Sequence, residues 1–280
     1  MRKSLPLVFV GLLLLLTGCA SSVGAELPRT HKAIAATRSL ATTPAAVAQA
    51  AAVPASRPPL PAWALPYKDQ LVVGVITKQP AVAITIDDVG APEMKTLVDA
   101  LVANHLRATL FCVGSKMTTE AAAYAAANGM ELGDHSWIHE PLGHSRPEGQ
   151  NKQIMDTARL LKAGSGEWPI WYRAPFQNLY GGAKKSIADA GMLDAGVSND
   201  PLDYHDVTGK ALVSAVSKKL KPGQIILMHH YPATIATLPA LAAELRRRNV
   251  QALTLSELAQ TGDPATSQRQ LEPFTRFFDQ

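Results

Sequence analysis

Cysteine is nearly absent from this chain, with Cys19 and Cys112 the only two. Cys112 lies inside the apolar run Thr109-Leu110-Phe111-Cys112-Val113, where no neighbouring group would lower its pKa. It is therefore excluded as a nucleophile and reads as a small buried hydrophobe. Clusters of cations interleaved with aromatics are missing as well: the formal charge is +4 and aromatics make up 6% of the chain. Nucleic acid is thus not an expected partner, and Arg246-Arg247-Arg248 reads as the solvated end of an amphipathic segment. The hydrophobic stretch from Leu5 to Leu16 is too short for a typical membrane span. What the sequence does have is 280 residues, 47% of them hydrophobic. That suffices for one substantial core, so one catalytic domain with appendages is expected.

Arg2 and Lys3, followed by the short apolar stretch, give residues 1–19 the pattern of an export signal. Its end, Leu16-Thr17-Gly18-Cys19, resembles the bacterial lipobox. That resemblance implies cleavage before Cys19 and lipidation there, which would anchor the exported protein to a bacterial membrane, periplasmic or outer face. A lipid-bearing Cys19 leaves Cys112 without a disulfide partner. Residues 20–66, rich in Ala, Pro, Ser and Thr, read as a tether spanning on the order of 40 Å; His31 within it is expected to be solvated. Residues 67–262 are then the catalytic domain and 263–280 a tail.

From Leu71 onward, apolar strand-like runs alternate with amphipathic segments. Strands are predicted at 71–76, 81–86, 107–113, 131–135, 171–173, 193–197, 225–228 and 250–254. Helices are predicted near 92–104, 118–128, 149–163, 183–190, 208–220 and 238–248. The alternation predicts an α/β fold with a parallel sheet, open or closed into a barrel. In a barrel, reactive residues gather at the C-terminal ends of strands.

The run Ala81-Val82-Ala83-Ile84 leads into Thr85-Ile86-Asp87-Asp88, two carboxylates at such an end. Side-chain alternation would give them separate jobs, one holding a metal and the other moving a proton. His135 and His139, spaced i and i+4, would share one face if the segment turns helically. With Asp88 they offer two nitrogens and one oxygen and leave open positions for water and substrate. Arg173, Asp200 with Asp203, and His229 each follow a further predicted strand, and their recurrence around one sheet singles them out.

These five segments resemble the motifs of the polysaccharide deacetylases of carbohydrate esterase family 4, the NodB-homology domain. Thr85 to Asp88 is similar to Thr-Phe-Asp-Asp, and His135 to His139 to His-Ser/Thr-x-x-His. Arg173 to Phe176 is similar to Arg-x-Pro-Tyr, Asp200 to Tyr204 to Asp-x-x-Asp-Trp, and Leu227 to His229 to Leu-x-His. Thr254 to Leu258 looks like a common ending of the domain. The resemblance implies a distorted (β/α)7-8 barrel holding a divalent metal, usually zinc, with cobalt, nickel or others as alternatives, through Asp88, His135 and His139. It further implies Asp87 as general base, oriented by Arg173, and His229 as general acid, tuned by Asp203. Phe176 would offer its backbone N–H to the oxyanion, and Tyr204 and Leu227 would line the acetyl pocket.

The chain departs from the family pattern at Val89, which separates Asp88 from Gly90, and at Phe176 and Tyr204, which replace Tyr and Trp. The last two put substrate identity in question more than chemistry. Of the remaining histidines, His230 is expected on the opposite face from His229 and His105 at a helix end, while His144 and His205 lie in loops that border the groove. The expected activity is removal of N-acetyl groups from N-acetylglucosamine-type residues of an envelope or extracellular polysaccharide, such as peptidoglycan, poly-N-acetylglucosamine or a chitin-like chain. O-deacetylation of xylan or another acetylated polysaccharide is the alternative within the machinery, and a non-catalytic glycan-binding envelope protein the alternative outside it. The expected partners are the polysaccharide and the membrane, with no protein partner.

Overall fold

The computed structural model describes residues 57–266. The export signal, Cys19, His31, the tether up to residue 56 and the tail from residue 267 lie outside the described residues. Within them, the strands are β1 (Leu71–Ile76), β2 (Ala81–Val89), β3 (Thr109–Cys112), β4 (Glu131–Asp134), β5 (Trp171–Tyr172), β6 (Leu193–Ala195), β7 (Ile225–His229), β8 (Gln251–Leu253) and β9 (Asp263–Thr266). The helices are α1 (Ala91–Ala103), α2 (Thr119–Ala127), α3 (Pro147–Ser165), α4 (Ala183–Asp189), α5 (Gly209–Lys219), α6 (Pro232–Arg247) and α7 (Leu255–Ala259).

The strands form one sheet in the order β7-β2-β3-β4-β5-β6-β1-β9, with β8 on β2. Every pairing is parallel except β1 with β9. Beyond β6 the chain returns to β7, where Leu227 donates its N–H to the Asn199 carbonyl at 2.9 Å. The sheet therefore curls on itself, the expected distorted barrel, closed at this point by a single bridge rather than a full ladder.

Alternation along the strands sorts residues into two layers. Val82, Ile84 and Ile86 of β2 and Ile226 and Met228 of β7 face outward, into a core shared with α1, α2, α5 and α6. Ala81 and Ala83 face the barrel interior with Phe111, Trp171, Leu193 and Ile225. By the same parity Thr85, Asp87, Arg173, Leu227 and His229 follow on the interior side. The interior is thus apolar low in the barrel and polar at the strands' C-terminal ends.

Two boundaries differ from the sequence reading. Residues 60–66 do not belong to a tether: Ala62–Tyr67 forms a 3-10 helix, and Ala64 and Tyr67 are buried in the inner core with Leu60 and Trp63 against it. Tyr67 donates its hydroxyl to the carbonyls of Ala259 and Gly262 at 2.7 and 2.8 Å and packs edge-on to Trp171. Prolines that read as linker signals instead shape a short segment that packs under the inner core. At the other end, Asp263–Thr266 is not tail but β9, which pairs with β1 and covers an otherwise open sheet edge. α6 begins at Pro232, six residues before the predicted start. Proline is well suited to the first helical turn, whereas Pro239 within the helix obscured its first half.

Candidate active site

One cavity of about 300 Å³ opens at the C-terminal ends of the strands. It is lined by Asp87, Asp88, His135, His139, Phe176, Tyr204, Leu227 and His229, together with Ala174, Gln177, Asp200, His205 and Tyr231. Arg173 and Asp203 stand behind this wall. The structure therefore brings together the motif residues Asp87, Asp88, His135, His139, Arg173, Phe176, Asp203, Tyr204, Leu227 and His229.

Simple alternation does not account for Asp88. Ile86 pairs with Leu110 but Val89 with Cys112, so β2 carries one extra residue against β3, a bulge that re-aims the chain. Asp88 takes it up with a left-handed φ of 65°, which turns its carboxylate into the cavity that Asp87 already faces. The extra Val89 is fully buried in the outer core, so the departure from the family pattern is absorbed in packing.

Nor do the two histidines share a helical turn: residues 135–139 form an irregular loop. Ser136 and His139 both have left-handed φ, 63° and 60°. The Asp134 carboxylate accepts from the Ser136 N–H at 2.9 Å, and the Ser136 hydroxyl from the His139 N–H at 3.0 Å. Two reversals in five residues do what one helical turn would have done. Of ten described non-glycine residues with positive φ, Asp88, Ser136, His139, Phe176, Gln177 and Leu202 lie on segments that build this cavity. Each such residue costs about 1–3 kcal/mol, and strain of this kind gathers where a site dictates geometry.

The ligand atoms of Asp88, His135 and His139 all lie within 4.8 Å of one another. Asp88 Oδ1 is 3.4 Å from His135 Nε2 and 2.8 Å from His139 Nε2. His135 Nδ1 sits 2.7 Å from the Arg173 carbonyl, which can only accept, so Nδ1 carries the proton and Nε2 presents a lone pair. Asp88 Oδ1, which these ring nitrogens face, is buried without a hydrogen-bond partner. A lone pair aimed at an unpaired carboxylate oxygen is the arrangement a divalent cation relieves, and this donor set fits one.

Asp87, 5% exposed, is fixed from behind. Arg173 Nη1 donates to Asp87 Oδ1 and to Thr85 Oγ1, both at 2.7 Å. Its Nε and Nη2 donate to the carbonyls of Ala195 and Gly196, and its guanidinium lies 4.2 Å from the Phe111 ring. With Oδ1 engaged, Asp87 Oδ2 faces the ligands, 3.8 Å from His135 Nε2. Thr85, in the first motif but without an assigned role in the sequence reading, closes this clamp by donating to the Ile226 carbonyl.

His229 stands beside Asp87 as its register partner across β2 and β7. Asp203 Oδ1 meets His229 Nδ1 at 2.8 Å, and Oδ2 accepts from the His229 backbone N–H and the Thr234 hydroxyl at 2.7 and 2.9 Å. Burial disfavours the imidazolium, but the Asp203 hydrogen bond and the charges of Asp87, Asp203 and Asp88 outweigh it and raise the pKa. Tyr204 donates to Asp200 at 3.0 Å and meets His229 edge-on, 5.4 Å between ring centres.

The sequence reading missed Thr234 and Tyr231, since only their closeness to His229 in the chain, across the start of α6, would have marked them. His230, expected on the opposite face, sits 3.3 Å from the Asp87 carbonyl through Nδ1, so it braces the strand end that carries Asp87. His205 borders the cavity as expected, while His144 is not among its lining residues.

Residues 74–194 match the polysaccharide deacetylase family model. The peptidoglycan-N-acetylmuramic acid deacetylase PdaC of Bacillus subtilis is 29% identical over 64% of this chain and 39% of its own. Its solved structure superposes with a TM-score of 0.60 at 27% identity, covering 67% of this chain and 93% of that one. A bifunctional xylanase/deacetylase of Pseudobutyrivibrio xylanivorans is 25% identical over 64% of this chain and 30% of its own. A peptidoglycan-N-acetylglucosamine deacetylase of Bacillus cereus is 23% identical over 64% and 68%. The chain thus spans well under half the length of the first two relatives. Residues 74–194 are thus similar to polysaccharide deacetylases, and the curled α/β sheet is like that of the solved PdaC and family 4 carbohydrate esterase structures.

Proposed function

We propose that this domain is a metal-dependent hydrolase that removes N-acetyl groups from N-acetylglucosamine-type residues of a cell-envelope or extracellular polysaccharide. The observation that carries this reading is the convergence, in one cavity, of a cation-ready Asp88, His135 and His139 with a clamped carboxylate and an acid-held imidazole on neighbouring strands. A divalent cation bound there, zinc by its preference for two nitrogens and a carboxylate, would polarise the acetyl carbonyl and acidify a water.

The chain's own groups then divide the proton work. Asp87, with Oδ1 held by Arg173, keeps Oδ2 free to take a proton from the attacking water. Phe176, turned into the left-handed region at φ 56°, offers its backbone N–H to the negative oxygen. His229, its Nδ1–H held by Asp203, keeps Nε2 for delivering a proton to the departing amine, which leaves poorly without one. Leu227 and the Tyr204 ring are the apolar wall for the acetyl methyl. We read the chain as exported and anchored through Cys19, on the strength of the N-terminal motif. Among the described residues no helix is long and apolar enough to cross a membrane.

Because the His229 pKa is raised, its acid form persists above the ordinary value near 6.5 and is lost as pH rises through the raised one. The falling limb of kcat/KM against pH should therefore lie above 6.5. Asp203→Asn, which removes a raising hydrogen bond and charge, should move that limb to lower pH. An unmoved limb would assign the acid to another group.

O-deacetylation of xylan is the second reading, favoured by the xylanase/deacetylase relative. Acetate release from N-acetylglucosamine oligomers, peptidoglycan and acetylated xylan, with one cation per chain by elemental analysis, tests both. Turnover of xylan alone would overturn the first reading. A metal-free chain inert on all three would leave the non-catalytic alternative.

A further inference from the structure

Tyr231 takes no part in the chemistry described above, yet it lines the same cavity and is 38% exposed. It follows His229 by two residues and precedes Pro232, which opens α6. A residue before proline is confined to extended backbone, and Tyr231 sits there, at φ −62° and ψ 144°. Its ring stacks on His229, 5.4 Å between centres and 22° from parallel, and lies 6.0 Å from His230 at 29°. His229 is thereby held between Tyr204, edge-on, and Tyr231, face-on.

The two tyrosines differ in what remains unused. The Tyr204 hydroxyl is committed to Asp200, whereas the Tyr231 hydroxyl donates to no protein group among the described residues. The Tyr231 ring is stacked with both histidines, and its exposed part borders the cavity. A pyranose ring carries C–H groups that pack against exposed aromatic surface, and hydroxyls at its rim that pair with a donor.

Resting on the deacetylase reading, we propose that Tyr231 is a substrate-contacting residue, a platform for a sugar ring beside the proton donor that selects a pyranose over a smaller acetylated compound. The ring supplies most of the contact and the hydroxyl a single hydrogen bond to a sugar hydroxyl.

The test is direct binding of an N-acetylglucosamine pentamer by calorimetry to the full zinc-loaded chain carrying Asp87→Asn, which prevents turnover. Adding Tyr231→Ala should weaken binding about tenfold, equivalent to about 1.4 kcal/mol. Adding Tyr231→Phe should weaken it about threefold, in keeping with one neutral hydrogen bond. Tyr231→Leu, which keeps bulk without an aromatic face, should behave as the alanine variant and serves if that one misfolds. Zinc stoichiometry and thermal midpoint should be unchanged. Affinity within twofold of the parent in the leucine or alanine variant, or no binding of the pentamer by the parent, overturns the proposal. The deacetylase reading fails separately: a wild-type chain that binds the pentamer through Tyr231 but releases no acetate defeats that reading and leaves the platform standing.

Discussion

Asp87→Asn should lower kcat for acetate release by about 10²–10⁴-fold, the range that general base catalysis supplies, while the chain still binds one cation. The substitution is nearly isosteric, and Asn Oδ1 can still accept from Arg173 Nη1, which lies 2.7 Å from Asp87 Oδ1. What is lost is the second oxygen as a proton acceptor, since an amide nitrogen in its place has no lone pair to offer. The candidate ligands Asp88, His135 and His139 are untouched, so elemental analysis should read the wild-type stoichiometry. KM should change little, because Asp87 serves bond making more than sugar contact. A kcat within threefold of wild type would remove Asp87 from the base role and turn attention to His229, its register partner. Loss of the cation together with activity would instead mean that Asp87 helps hold the metal, which its 3.8 Å separation from His135 Nε2 makes worth measuring.

Much of this site was legible in the sequence because strand periodicity is a strong signal. Parity alone places Thr85, Asp87, Arg173, Leu227 and His229 on the interior side, and the apolar runs before them mark where each strand ends. What periodicity could not supply was the geometry of departures from it. Asp88 reaches the cavity through a bulge and His139 through two left-handed residues, and neither Asp88-Val89 nor Ser136-Trp137 announces a reversal in the way Asn-Gly would. The helical turn expected for His135 and His139 was thus the right proximity reached by the wrong path. The misjudged boundaries share a second cause. Prolines at 58, 59, 61 and 66 read as linker, yet proline forbids only certain hydrogen bonds and does not forbid burial nearby. Tyr67 docks because the inner core ends there in Trp171, Leu255 and Leu258, a need no local pattern reveals.

Arg173→Met should destabilise the fold by about 3–5 kcal/mol, the cost of breaking a buried ion pair from one side, and should abolish measurable turnover. Arg173 is fully buried and Asp87 nearly so. Removing the guanidinium strands the carboxylate, the Thr85 hydroxyl and the carbonyls of Ala195 and Gly196, all of which it satisfies. Methionine fills much of the volume and keeps contact with Phe111, so the loss reports the unpaired polar groups rather than a cavity. The decisive variant is the double one. If the cost lies in an uncompensated charge, Asp87→Asn placed on Arg173→Met should recover part of the lost stability, although each substitution alone destabilises. Urea unfolding of the four proteins in the cycle measures this coupling directly. Additive losses would mean that Arg173 holds β5 to β6 through the two carbonyls and contributes little by pairing with Asp87. A recovered double variant would instead show that the fold needs the guanidinium chiefly to compensate the buried Asp87 carboxylate.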